Sequence, residues 1–354
     1  MYYVNESEVP SRSKHLTYKI RKGDTLESVA KVLEIEAQEL RRYHNIYCEI
    51  SDLIEADFNS HLEFLILAPV KSAGDVVEKK PRKISLGKDY KLPFLPNGIS
   101  KEYKVEYTTE VGDQIDTIEM KVDVKWLASD KNKFHLFEIS RESIYINNEI
   151  PDTIMDELAA KTAAVLYPLK IVVDEFGKWI DLHNYSEIVS RWKDVKTEIL
   201  DYYEGEVTQI YIDHTENALE NIDTLLKSLA SDYFLRAFFN GIHISYTSDY
   251  AFKNDVSFPL EKDEESLFKV EQTIDPFLDD FYLVKVEQKG NYKDGESEAS
   301  FGYDPRKGYY NATYFLDKDF YWIEKIKIEC SIDYDDPIKI LISVESFEKR
   351  KEVN

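Results

Sequence analysis

The sequence predicts an α+β protein of two parts: a small strand-helix-helix-strand module, then a larger domain in which a curved antiparallel sheet carries a helical insert. Three observations predict it. Between His15 and Pro69 the apolar period switches from two to three-and-four and back to two within one short stretch. From Tyr103 to Ile146, and again from Phe281 to Val344, apolar and polar residues alternate as in strands with one face buried. Between those two regions, from about 151 to 241, apolar residues step by three and four, the mark of packed helices.

The elements follow in chain order. Residues 1–14 form a tail. Leu16, Tyr18 and Ile20 alternate as a strand, Gly23 supplies a turn, and Asp24 or Thr25 caps a helix by accepting from its unpaired N–H groups. Leu26, Val29, Ala30 and Leu33 share one helical face. Ala37, Leu40, Arg41 and Tyr43 give a second short helix that ends near Asn45, a residue tolerant of left-handed backbone. Phe64 to Leu67 closes the module as a strand.

This run, with Tyr18-Lys19-Ile20-Arg21-Lys22-Gly23-Asp24-Thr25-Leu26 leading to Leu40 and Asn45 and closing on Leu65-Ile66-Leu67-Ala68-Pro69, resembles a LysM module. The resemblance implies two helices over one face of a two-stranded antiparallel sheet. It also implies binding of N-acetylglucosamine glycans, such as peptidoglycan or chito-oligosaccharides, in a shallow groove between two loops. It assigns that site to Gly23, Asp24, Thr25 and Leu26 in one loop, and to Asn45 and Ile46 at the start of the other. The second loop departs from the family pattern. Ile46 to Leu62 is longer than usual, contains no Pro or Gly, and carries Glu49, Asp52, Glu55 and Asp57. Glycan binding and a protein-docking or structural use of the same fold both stand open.

Residues 70–91 read as a basic linker, with Lys71, Lys79, Lys80, Arg82, Lys83, Lys88 and Lys91 interrupted by Gly74, Pro81 and Gly87. The second domain, 92–354, opens with a meander through Tyr103 to Tyr107, Ile118 to Trp126, Phe134 to Ile139 and Ile144 to Ile146. In the insert, Pro151 precedes a helix through Ile154 and Leu166, and 171–180 reads as a hairpin. Asn184 starts a helix through Ile188, Trp192 and Ile199, a third helix spans Ala218 to Leu229, and a short one carries Phe234 to Phe239. Strands resume from about Ile242. Ile326, Ile328, Cys330 and Ile332 pair with Ile338, Ile340, Ile342 and Val344 across a turn at Asp333 to Pro337. The outline is similar to the half-barrels of lipid- or lipoprotein-carrying proteins, a likeness of fold alone.

At 354 residues, 43% hydrophobic and 13% aromatic, the chain holds enough apolar surface for packed cores. Lys and Arg number 45 against 68 Asp and Glu, and nearly all of the net charge of −23 falls after residue 91. Such a surface repels phosphate backbones and anionic bilayers, so neither nucleic acid nor a membrane is an expected partner. The start carries no basic-then-apolar leader, no apolar run reaches 18 residues, and Cys48 and Cys330 lie in different domains. A cytoplasmic protein with reduced thiols is the expectation.

Chemistry is sparse in the sequence. There is no nucleophile elbow, paired-histidine zinc helix, phosphate loop or dinucleotide fingerprint. The seven histidines are scattered, and Asp279 with Asp280 and Asp335 with Asp336 sit in turns, where Asp serves the backbone. Asp333, Asp335 and Asp336 lack the glycine and distal glutamate of an EF-hand loop. No cofactor or metal is expected. A LysM-like module without a leader resembles components of phage baseplates and contractile injection machines, which reach the cell wall inside an assembly. The expected function is therefore a non-enzymatic binding adaptor of such a type VI-like machine, with a protein partner. A wall-targeting effector delivered by the machine, and a carrier of an apolar ligand in a half-barrel, are the alternatives.

Overall fold

The structure, a computed structural model, describes residues 16–33, 35–48, 52–54, 57–59, 61–67, 82–84, 86–87, 89–260, 266–293 and 306–347. The chain divides into two compact units, Met1–Lys80 and Pro81–Asn354. The expected tail at 1–14 lies outside the described residues.

In the first unit β1 (Leu16–Lys19) pairs antiparallel with β2 (Phe64–Leu67), and α1 (Leu26–Leu33) and α2 (Ala37–Tyr47) lie between them in sequence. The start of α1 is set by a reciprocal cap. Ser28 N–H donates to Thr25 Oγ1 at 3.1 Å while Thr25 N–H donates to Ser28 Oγ at 2.8 Å. Leu26, Val29, Ala30 and Leu40 then meet Leu65 and Leu67 in one core, which Ile54 and Leu62 complete. His44 of α2 is buried. Its Nδ1 accepts from Ile66 N–H at 2.9 Å, so Nε2 carries the ring hydrogen and donates to Asp52 O at 2.9 Å. The ring thereby occupies the edge of β2 that faces away from β1.

Among the described residues the second unit is one eleven-stranded, wholly antiparallel sheet with helices, an α+β architecture. Its strands are β3 (Ser100–Val111), β4 (Gln114–Ser129), β5 (His135–Ile146), β6 (Leu169–Val173), β7 (Trp179–Leu182), β8 (Ala251–Phe258), β9 (Ser266–Ile274), β10 (Leu283–Tyr292), β11 (Gly308–Asp317), β12 (Ile323–Ile332) and β13 (Ile338–Ser346). They lie in the order β7-β6-β5-β4-β3-β13-β12-β11-β10-β9-β8. The β12–β13 register is the predicted one, with Ile332 opposite Ile338 and Ile326 opposite Val344. β13 then pairs with β3 from Ile338↔Val111 to Ser346↔Tyr103, so strands from before and after the insert share one sheet.

The insert holds α3 (Ile154–Ala164), α4 (Tyr185–Tyr202), α5 (Glu206–Ala218), α6 (Ile222–Leu229) and α7 (Tyr233–Phe238). The single third helix expected over Ala218 to Leu229 is corrected. Asn221 caps α6 by accepting from Thr224 N–H at 3.0 Å, and this ends one helix at Ala218 and starts another. The expected linker also needs correction at its far end. Lys83 bridges Phe277, Ile84 N–H donates to Pro276 O at 2.9 Å, and the Ile84 side chain is buried in the second core. A lone isoleucine in a polar run leaves no period to read, yet its backbone finds an antiparallel neighbour. The expected segment 70–81 lies outside the described residues.

The sheet curls around α7. β5 and β8 stand third and eleventh in the strand order, roughly 38 Å apart if the sheet were flat. α7 has six residues, a length of roughly 9 Å. Yet Tyr233 stacks on Phe258 of β8 with ring centroids 5.9 Å apart, and the adjoining Phe239 meets Phe137 of β5 at 5.4 Å. Phe238 contacts Tyr103 of β3 at 5.0 Å and Trp322 at 5.6 Å, and Tyr314 OH of β11 donates to Ala237 O at 3.1 Å. Only a sheet wrapped about the helix permits all of these at once. The concave side is thus filled by α7 and its aromatic neighbours, whereas α3 to α6 pack chiefly on one another.

Candidate functional site

Two regions present side chains at an open surface: the paired loops of the first unit and a groove among the helices of the second. In the first, Gly23 has φ +96° with nothing within 4 Å of a built Cβ, so the need for glycine is conformational and not steric. Asp24 Oδ2 accepts from Arg21 N–H at 2.8 Å and from Tyr18 OH at 3.0 Å. Thr25 caps α1, and Leu26 is buried. Asn45 pairs both ways with the Ile54 backbone, donating from Nδ2 to its oxygen and accepting its N–H at Oδ1, each at 2.9 Å. Ile46 belongs to α2, and its side chain lies outside the described residues.

The two loops do meet. Leu26 N–H donates to Asp57 Oδ1 at 2.6 Å, so the joining residue is one of the carboxylates of the lengthened second loop. The polar atoms of Asp24, Thr25 and Asn45 hold these loops in place, and Gly23 and Thr25 remain exposed on their surface.

In the second unit, α3, α5 and α6 enclose a groove of about 540 Å³, open along one side. Met155, Val207 and Ile210 stand on its walls, exposed by 54%, 43% and 47%. Val165, Leu219 and Leu225 lie buried at its floor. The two threonines that line it are turned back onto their own helices. Thr162 Oγ1 donates to Leu158 O at 2.9 Å and Thr215 Oγ1 to Tyr211 O at 2.8 Å, which hides both hydroxyls in helix carbonyls. The wall is therefore more apolar than its residue types suggest.

No protein-family model matches this chain, and no curated protein matches it.

The sequence reading missed the groove because it did not resolve α5. Val207, Ile210, His214 and Ala218 step by three and four toward the groove, while Thr208 and Ile212 are buried on another face, so no single stripe stands out. Several polar groups of the second unit serve the fold. Asp279 Oδ1 accepts from Phe281 N–H at 2.9 Å and Leu283 N–H at 2.8 Å, the turn role expected of it. Gln288 Nε2 donates to Gln272 Oε1 at 2.7 Å, and Asn240 Nδ2 donates to Gln288 Oε1 and Tyr314 OH, each at 3.0 Å. These bonds rivet the segment after α7 to β9, β10 and β11. Burial pushes the Cys330 thiol upward, away from reactivity. Among the described residues no three His, Cys, Asp or Glu side chains are grouped to hold a metal ion.

His243 carries a pH prediction. Its ring is buried, donates from Nδ1 to Pro93 O at 2.9 Å and packs on Phe94 with centroids 4.9 Å apart. Burial pushes its pKa from 6.5 down to about 4, against the opposing pull of the Pro93 carbonyl. Between those values the unfolded chain takes up a proton that the folded one refuses. The site is thus without penalty above pH 6.5 and loses stability as pH falls toward 4, about 3 kcal/mol in all. In urea titrations across this window, a His243→Gln variant should show a flatter dependence on pH than the parent. Parallel curves would refute the assignment.

Proposed function

We propose that the chain is a non-enzymatic adaptor of two binding modules: a LysM-type N-terminal module for N-acetylglucosamine glycans, and a sheet domain whose helical groove takes a protein partner. The observation that carries this reading is the open apolar groove of α3, α5 and α6, lined by exposed Met155, Val207 and Ile210. A concave apolar surface with side chains open on its walls is the default place for a partner to bind. The βααβ order, the common core of both helices with the sheet, and the joining of the two loops by Asp57 and Leu26 support the LysM-type reading of the first unit. We assign the chain to a phage-like contractile machine of the type VI kind, acting from the cytoplasm and bringing the module to the wall.

The carrier reading requires space for a ligand inside the curled sheet, where α7 and its aromatic neighbours stand. A ligand of that kind would have to use the helical groove instead.

Retention on insoluble peptidoglycan tests the proposal. The full chain should be retained and released by chito-oligosaccharides, while residues 81–354 alone pass through. Equal retention of both would remove the glycan role from the first unit. Release of soluble sugar from the wall by purified protein would replace the adaptor with the effector.

A further inference from the structure

We propose that the α3–α5–α6 groove receives an amphipathic α-helix of a partner protein, one whose apolar stripe is flanked by lysine or arginine. This rests on the adaptor reading and names the chemistry of its partner.

The shape of the groove selects the occupant. It is a trough with one apolar wall and one open side. An acyl chain is apolar all round and would leave half its surface wet there. An amphipathic helix is apolar over only about 100° of its circumference and fits a one-sided wall. An extended peptide would bring a full row of unpaired backbone groups, and of the polar side chains that line the groove only Tyr211, His214 and Ser228 are available, those of Thr162 and Thr215 being committed to helix carbonyls. A helix satisfies its own backbone and asks for no such partners.

Charge selects the flanks. Asp152 and Asp156 neighbour Met155 in sequence at the start of α3, where Asp156 accepts from Thr153. Glu206 and Asp213 neighbour Val207 and Ile210 on α5, where Asp213 accepts from Gln209. Against these four acids stand His214 in the lining and Lys227 next to Ser228 on α6. Lys161 of α3 is turned toward α4, over the rings of Tyr202 and Tyr203 at 5.9 and 5.4 Å. The rim therefore disfavours anionic headgroups and acidic helices, and favours cationic flanks.

Three probes offered to the full chain decide it by fluorescence anisotropy. The first is a labelled helical peptide of about eighteen residues with leucines three and four apart and lysines on the flanks. The second has glutamate for every lysine, and the third is a fluorescent fatty acid. The lysine peptide should bind, weaken as salt rises, and weaken about tenfold or more in Ile210→Asp. Asp213→Lys should weaken it less and reduce the salt dependence. Ile210 is 47% exposed, so the variant keeps its fold, which circular dichroism checks.

Equal binding of both peptides, or of neither, overturns the inference, as does an unchanged affinity in Ile210→Asp. Binding of the fatty acid alone, lost in Ile210→Asp, would make the groove a carrier site. Cross-linking in the native cell separates the two levels of the claim. If parent and Ile210→Asp capture the same protein while the lysine peptide fails, the groove inference falls and the adaptor reading stands. If the peptide binds and no protein is captured, the adaptor reading falls.

Discussion

Replacing Asp232 with alanine is expected to destabilise the second unit by about 3–5 kcal/mol. Asp232 does two things at once. Its Oδ1 caps α7 by accepting from Leu235 N–H at 2.9 Å, and both its oxygens accept from Arg141 Nη2 of β5 at 2.7 and 2.6 Å. The pair is largely buried, with side-chain exposures of 13% and 16%. The guanidinium lies over the Tyr167 ring at 5.1 Å and the Phe234 ring at 5.9 Å. Burial pulls the Arg141 pKa down, but the facing carboxylate outweighs it and holds the charge on. Without Asp232 that charge stays buried and unpaired, beside an Nε that has no hydrogen-bond partner among the described residues.

The cap alone accounts for only about 1 kcal/mol. Asp232→Ala combined with Arg141→Met should therefore recover a large part of the loss, because it removes the orphaned charge. Urea titration followed by tryptophan fluorescence reads both, since Trp126, Trp179, Trp192 and Trp322 all lie in the second unit. A double variant no better than Asp232→Ala would refute the ion-pair account and leave the cap.

His44→Ala is expected to unfold the first unit and leave the second intact. The change orphans the buried Ile66 N–H and removes the ring's bond to Asp52 O. An unsatisfied buried donor costs about 1–3 kcal/mol, and the lost ring volume adds to it. A core of this size rarely supplies more than about 3–5 kcal/mol in total, so little stability would remain. Limited proteolysis should digest the first unit of the variant quickly while tryptophan fluorescence stays as in the parent. Equal protease resistance of the two proteins would overturn this.

How much of this was legible depends on where each signal resides. The β12–β13 hairpin could be read to the residue because strict alternation and a short turn together leave one register. The helix start was legible to within Asp24 or Thr25, and the structure decides for Thr25 through its reciprocal bonds with Ser28. β8 and β9 were not singled out. In β9 the inward positions run Phe268, Val270, Gln272, Ile274, and a glutamine there is acceptable only because Gln288 and the segment after α7 answer it. The candidate site residues were named by resemblance, but Asp57, which joins the loops, was not, because its partner Leu26 lies 31 positions away.

By itself, the sequence determined the βααβ run, the alternating strands other than β8 and β9, the presence of a helical insert, and the pairing of β12 with β13. Those properties belong to one segment or to close neighbours, so periodicity and turn chemistry suffice. Only the tertiary structure decided that β3 lies beside β13, that the sheet curls around α7, that Ile84 joins the second core, and that α5 turns Val207 and Ile210 toward an open groove instead of a core. Each of these is a relation between segments far apart in the chain. Such relations are settled by loop closure and mutual packing, and an apolar stripe carries no mark of whether its neighbour is the same protein or another.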